Sequence, residues 1–203
     1  MTMSDKAAHD PQTLSFYDNE AEKYAARKRP EKNRRLESFL ARLDGGAKIL
    51  ELGCGGGQDA EIMIRAGFDV TPTDGSAGLA REAERRLGRT VKLLRFEDLD
   101  ERAVYDAVWA HACLLHVPEQ RLGDVLARIR DALKPGGLFF ASYKEGNGGE
   151  RDSLGRYYNF PSREMLAASC RQAGVWADLA FDDGAGGGYD GVERNFIYVT
   201  AKK

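Results

Sequence analysis

The stretch Ile49-Leu50-Glu51-Leu52-Gly53-Cys54-Gly55-Gly56-Gly57-Gln58-Asp59-Ala60 decides how the rest of the chain is read. An apolar run from Lys48 to Leu52 ends in glycines at 53, 55, 56 and 57, and a helical pattern, Gly57 to Ala66, begins at once. A strand, a glycine turn and a helix in direct succession expose backbone to a ligand and aim helix amides at it. The next apolar run, Phe68 to Thr73, leads into Asp74, Gly75 and Ser76. An acid at that strand end accepts hydrogen bonds from both hydroxyls of a ribose, so the two segments together predict a site for an adenosine-containing cofactor.

Working outward, short apolar runs continue to alternate with helical patterns. Val91 to Phe96, Tyr105 to Ala110 and Gly137 to Tyr143 complete a set of five strands suited to a parallel sheet. Ser76 to Leu87 and Glu119 to Leu133 read as helices between them, the second carrying Leu122, Val125, Leu126, Ile129 and Leu133 at helical spacing before Lys134-Pro135-Gly136-Gly137 stops it. Pro161 to Ala173 reads as a further helix. Val175 to Phe181 and Asn195 to Thr200, joined by a glycine-rich turn, predict an antiparallel hairpin at the sheet edge. Ahead of the first strand, Thr13 to Lys28 and Glu31 to Leu43 read as two amphipathic helices. The expected fold class is α/β, a doubly wound, mostly parallel seven-stranded sheet with helices on both faces. Residues 1–203 are expected to form one domain, a helical cap over 1–44 and a core over 45–203.

Composition agrees with a single compact unit. The chain has 203 residues, 42% of them hydrophobic, and its 23 glycines follow no collagen-like period. A net charge of -2 provides no global field for nucleic acid or anionic lipid, although a local basic patch remains open. Three cysteines, an odd number without CxxC spacing, suit a reducing cytoplasm and give neither a disulfide framework nor a cysteine-rich metal site. No apolar run approaches the length needed to span a bilayer. A cytoplasmic protein without membrane or metal partners is expected, either a monomer or a homodimer.

Two details choose among adenosine cofactors. A dinucleotide fingerprint would read G-x-G-x-x-G or A, whereas Gln58 stands where close helix packing wants a small residue. Glu51, two residues before the first glycine, would repel a pyrophosphate and attract an ammonium group. The residues therefore favour adenosine carrying an amino acid. Here the chain resembles the class I S-adenosylmethionine-dependent methyltransferases, whose E/D-x-G-x-G-x-G motif is matched by Glu51 to Gly57 and whose ribose-binding acid is matched by Asp74. Tyr105-Asp106-Ala107-Val108, the Leu133 to Gly137 segment and the C-terminal hairpin extend the resemblance. The N-terminal FYDNEAEKY is similar to the segment that folds over the cofactor in many small-molecule methyltransferases, including bacterial tellurite-resistance-like enzymes.

That resemblance implies a Rossmann-like fold, S-adenosylmethionine as cofactor, and roles for particular residues. Gly53, Cys54, Gly55 and Gly57 would run along the methionine and ribose, and Glu51 would orient the methionine amino group. Asp74 would hold the ribose hydroxyls, flanked by Gly75 and Ser76. Phe96, Glu97 and Asp98 would sit at the adenine, with either acid a candidate for its exocyclic amine. Ala110 and His111 would lie beside the sulfonium, and Tyr17 and Tyr24 would cap the cofactor.

Methyl transfer requires an aligned nucleophile and, for some acceptors, a base. His111, at the strand end, is a candidate base or acceptor-orienting group, with a merely packed imidazole as the alternative; Tyr143, ending the fifth strand, is the second catalytic candidate. His116 reads as structural and His9 as part of a disordered terminus. The glycine-rich segment from Lys144 to Ser162 predicts a mobile flap over the acceptor, in which Arg156 would pair an acidic group and Tyr157 would form a wall. His111 to Pro118, HACLLHVP, lacks the Asn or Asp-Pro-Pro-aromatic arrangement of many amino-group methylases of bases. A small-molecule acceptor is expected. The rival readings are a nicotinamide-dependent oxidoreductase on the same fold and a non-catalytic cofactor-binding regulator.

Overall fold

The computed structural model describes residues 7–28 and 33–203; the start of the expected Glu31 helix lies outside them. Three short helices precede the sheet: α1 (Pro11–Asn19), α2 (Ala21–Ala25) and α3 (Arg34–Leu40). There follow β1 (Lys48–Leu52), α4 (Gln58–Arg65), β2 (Asp69–Asp74), α5 (Ala77–Leu87), β3 (Lys92–Leu93), β4 (Tyr105–Ala110), α6 (Glu119–Ala132) and β5 (Leu133–Lys144). A small hairpin, β6 (Glu150–Arg151) and β7 (Tyr157–Tyr158), leads to α7 (Arg163–Ala173), β8 (Asp178–Gly187) and β9 (Glu193–Lys202).

The main sheet has seven strands in the order β3-β2-β1-β4-β5-β9-β8. All neighbours from β3 to β5 are parallel, while β9 runs antiparallel to both β5 and β8. Strand order reverses between β1 and β4, and in an open α/β sheet the crevice beyond the strand ends at that reversal is where ligands bind. Gly53 and His111 follow the two strands that frame it.

Alternate residues of the central strands feed two apolar layers. Leu50, Val108 and Phe139 pack under α6 and α7 on one face. Ile49, Trp109 and Phe140 meet Leu36 and Phe39 of α3 on the other, where the Trp109 ring stacks on Phe140 at 4.1 Å between centroids.

Local chemistry explains several boundaries. Asp10, Asn33, Ser76 and Ser162 each accept a backbone N–H in the first turn of α1, α3, α5 and α7. The expected long N-terminal helix is two, α1 and α2, that meet at Glu20. The third strand is reduced to Lys92 and Leu93, and Phe96 to Asp98 form a single 3-10 turn. The final hairpin is displaced: Val175 is exposed and outside it, while Gly184, Gly186 and Gly187 belong to β8. A Cβ on Gly184 would sit 2.8 Å from the Tyr198 ring of β9, so the missing side chains make room for aromatic rings across the ladder.

The Lys144 to Ser162 segment is not an open flap. Arg156 is 1% exposed, its guanidinium held by Asp152 at 2.6 and 2.9 Å, and the rings of Phe16, Tyr17, Tyr158 and Tyr189 surround it. Asn159 is also buried and donates to the carbonyls of Leu114 and Val117. A buried charge held this way anchors its loop, because opening the loop breaks the pair. Among the described residues, no helix is long and apolar enough to cross a membrane.

Candidate active site

The glycine turn between β1 and α4 is compressed from both sides. Gly53 has φ +62°, and a Cβ there would lie 2.4 Å from the Cβ of Cys113. On the outer side, a Cβ on Gly56 would meet Ala25 of α2 at 2.9 Å, and the Gln58 amide donates to the Ala25 carbonyl. Glycine is thus required both by the backbone angle and by the close approach of the helical cap.

A cleft opens above this turn, with about 690 Å³ of space including its mouth. Gly53 and Gly55 form its floor, and Asp74, Gly75 and Ser76 line one end. Leu94 and Phe96 contribute an apolar wall, and Tyr17 and Tyr24 cover it from α1 and α2. All of these except Leu94 are sequence-predicted cofactor residues, which the fold brings to a single cavity. Asp74 accepts the amides of Gly55 and Ser76, both at 2.8 Å. Burial, with a smaller push from nearby Asp18, brings its carboxyl up to about 6 against the pull of those amides. Asp18 itself accepts from the Ser76 hydroxyl at 2.6 Å and from the Gly78 amide at 3.0 Å, tying α1 to the start of α5.

Other predicted positions lie elsewhere. Glu51 is buried in β1 and Ala110 is buried in β4. Cys54 packs with Ala80, Ala83 and Val91, and burial pushes its thiol well up, so it remains an inert neutral group. Gly57 is the left-handed residue that starts α4. Asp98 is exposed, and Glu97 is engaged by the His9 imidazole. That contact orders His9, contrary to its expected disorder, and places it at the cleft. The sequence gives no local signal for it.

Tyr143 lines neither this cleft nor the second one; it is buried in the main core, where burial pushes its hydroxyl pKa well up. Arg156 and Tyr157 also lie outside both linings. Arg156 donates to the Tyr17 hydroxyl at 3.1 Å, which lies 2.9 Å from Nε2 of His116. Nδ1 of His116 is 2.6 Å from the Tyr157 carbonyl and must donate to it, leaving Nε2 to accept from Tyr17. Burial pushes the His116 pKa down to about 3, which keeps the imidazole neutral. His116 and Arg156 thus fix the ring that covers the cleft.

A second cleft adjoins the first at Ala112, which lines both. Ala112 has φ +54°, a left-handed conformation held by its amide's bond to the Ser142 hydroxyl at 2.8 Å. His111 and Asp59 line the second cleft. Asp59 Oδ2 accepts from Trp109 Nε1 at 3.0 Å and lies 3.2 Å from Nδ1 of His111. Sequence reading missed Asp59, since an acid in the first turn of a helix ordinarily serves the helix dipole. The available clue was that Trp109 near the end of β4 and His111 just beyond it stand two residues apart, the spacing of one strand face.

Comparison with known proteins agrees with this geometry. A family model described as a methyltransferase domain matches residues 49–137. A ubiquinone biosynthesis O-methyltransferase of Xanthomonas oryzae pv. oryzae is 35% identical over 116 residues, covering 53% of this chain and 48% of the relative. The chain thus matches about half the length of that curated relative. Among solved structures, a Burkholderia thailandensis 1,6-didemethyltoxoflavin-N1-methyltransferase, with 1,6-didemethyltoxoflavin and S-adenosylhomocysteine bound, superposes at TM-score 0.74 with 22% identity, covering 95% of this chain and 87% of that one. A SAM-dependent methyltransferase of Methanosarcina mazei superposes at TM-score 0.71 with 17% identity, covering 82% and 96%. The fold is therefore the Rossmann-like fold of class I methyltransferases.

Proposed function

We propose that this chain, whose residues 49–137 match a family model described as a methyltransferase domain, transfers the methyl group of S-adenosylmethionine to a small-molecule acceptor, its helical cap and core working as one unit. The observation that carries this reading is the carboxylate of Asp74, fixed by two amides at the end of a glycine-floored cleft that meets a second cleft at Ala112.

The residues fit the cofactor. Asp74 can accept the ribose hydroxyls with lone pairs its amide partners leave over, and Phe96 and Leu94 offer an apolar surface to adenine. Gly53 and Gly55 admit the chain between ribose and sulfur. The buried Glu51 favours an ammonium group nearby and disfavours a pyrophosphate, which weighs against a nicotinamide dinucleotide. Tyr17 and Tyr24 close the cleft from the cap side and would cover the bound cofactor.

When bound, the cofactor supplies an electrophilic methyl group on sulfonium. This chain's own part is to align the acceptor and take its proton. Asp59 facing Nδ1 of His111 favours the tautomer with the proton there, leaving Nε2 basic. His111 then accepts the proton that the acceptor's nucleophilic atom loses as the carbon bond forms. The cap excludes water from the transfer path.

Calorimetry with S-adenosylhomocysteine and with NADH tests the cofactor, and transfer of labelled methyl from S-adenosylmethionine to a metabolite extract tests the reaction. Binding of the homocysteine product with labelling of an extract component is expected. Tight NADH binding without a response to S-adenosylhomocysteine would overturn the cofactor assignment, and cofactor binding with no labelled product would leave a regulator instead of an enzyme.

A further inference from the structure

The second cleft is cationic along one side. Arg27, Lys28, Arg34 and Arg35 line it; the first two lie on the chain leaving α2 and the other two open α3, and residues 27–35 read RKRPEKNRR in a chain of net charge -2. The carboxylate at the floor, Asp59, is buried and occupied with Trp109 and His111. Arg35 is pinned as a wall, stacked 3.8 Å over the Tyr198 ring and 3.3 Å from Asp182. The Arg27 guanidinium lies 4.3 Å over the Tyr24 ring, at the border with the cofactor cleft. Lys28 is exposed, as is Arg34, and neither is within ion-pair distance of a carboxylate among the described residues. Tyr189 and Phe196 of the C-terminal hairpin region add aromatic surface.

We infer that the methyl acceptor is an anionic small molecule, bearing a carboxylate or a phosphate that Lys28 and Arg34 receive at the rim, with its nucleophilic atom beside His111. This rests on the methyl-transfer reading above. A concentration of positive charge at the rim of a concave site raises the local concentration of anions, and a guanidinium matches the two oxygens of either group. His111 lies in the same cleft, and Ala112 joins that cleft to the cofactor's. The acceptor would therefore span from charged rim to transfer point. A polyanion is the poorer match, because the basic groups converge on a cleft instead of forming a stripe along a surface.

The test labels a metabolite extract with methyl-labelled S-adenosylmethionine after separating it on an anion exchanger. Label from the retained fraction is expected; loss of that signal after phosphatase treatment identifies a phosphate, and its persistence identifies a carboxylate. In the double variant Lys28→Ser with Arg34→Ser, KM for the retained acceptor should rise at least about tenfold while S-adenosylhomocysteine affinity stays constant. Label arising only from the unretained fraction overturns the inference, as does an unchanged KM or a variant whose loss is entirely in cofactor affinity. Cofactor binding without label from any fraction overturns the methyl-transfer reading beneath it.

Discussion

At the scale of single residues, Gly53 and Asp74 contribute most to the cofactor cleft, and they fail in different ways. Gly53→Ala imposes a left-handed alanine and a contact with the Cys113 Cβ, so a loss of about 2–4 kcal/mol in chemical denaturation is expected. Cys113→Ala leaves the colliding atom in place and brings no relief, whereas Cys113→Gly in the same chain restores part of the loss. Asp74 acts through its proton. Its folded carboxyl sits at about 6, above the ordinary 3.8, so the folded chain holds a proton that the unfolded chain has released. Its contribution to stability is full below about pH 4 and disappears as pH rises towards about 6. A ribose donating to the ionised form reverses the preference. The rise in melting temperature caused by S-adenosylhomocysteine should therefore be larger at about pH 8 than at about pH 5, a difference that Asp74→Asn should abolish. Asp59→Asn should lower kcat by about a hundredfold while leaving S-adenosylhomocysteine affinity intact, because it removes the partner that sets the His111 tautomer without entering the cofactor cleft.

Among elements, the contact between the cap and α5 reverses a usual rule. Glycine within a helix ordinarily costs about 1 kcal/mol against alanine. At Gly78 a Cβ would lie 2.8 Å from the Asp18 carbonyl and 2.9 Å from the Ala21 side chain. Gly78→Ala should therefore destabilise the protein and weaken S-adenosylhomocysteine binding, both measurable by thermal melts with and without ligand. The same elements show what local pattern conveys. β1, β4 and the body of β5 were legible because buried parallel strands must be continuous apolar runs, and α6 because one face alternates with solvent. β3 was overextended because its ladder with β2, at the sheet edge, lasts only two residues, and an apolar run does not reveal how many partners it has. The anchored β6–β7 hairpin was illegible for another reason: Arg156 becomes a buried residue only when Phe16, Tyr17 and Tyr189, distant in sequence, close around it. The cofactor end of the site could be read from one contiguous turn and one acid. The Asp59–His111 pair joins two elements and could not.

For the whole molecule, the helical cap is part of both clefts. Tyr17 and Tyr24 cover the first, and the chain leaving α2 together with the start of α3 supplies the basic side of the second. Hydrogen exchange should show S-adenosylhomocysteine protecting the amides of α1, α2 and residues 53–57, while the edge strand β8 exchanges unchanged. Ala25 resting on Gly56 means that the cap cannot lift without uncovering the glycine turn. On the proposed function, exit of spent cofactor would thereby be coupled to a chain segment that an acceptor would hold down. On the proposed reading, residence time, not affinity alone, becomes the quantity under control: an acceptor seated against Lys28 and Arg34 would keep its methyl donor from escaping before transfer, and departure of the methylated product would free the donor's remnant.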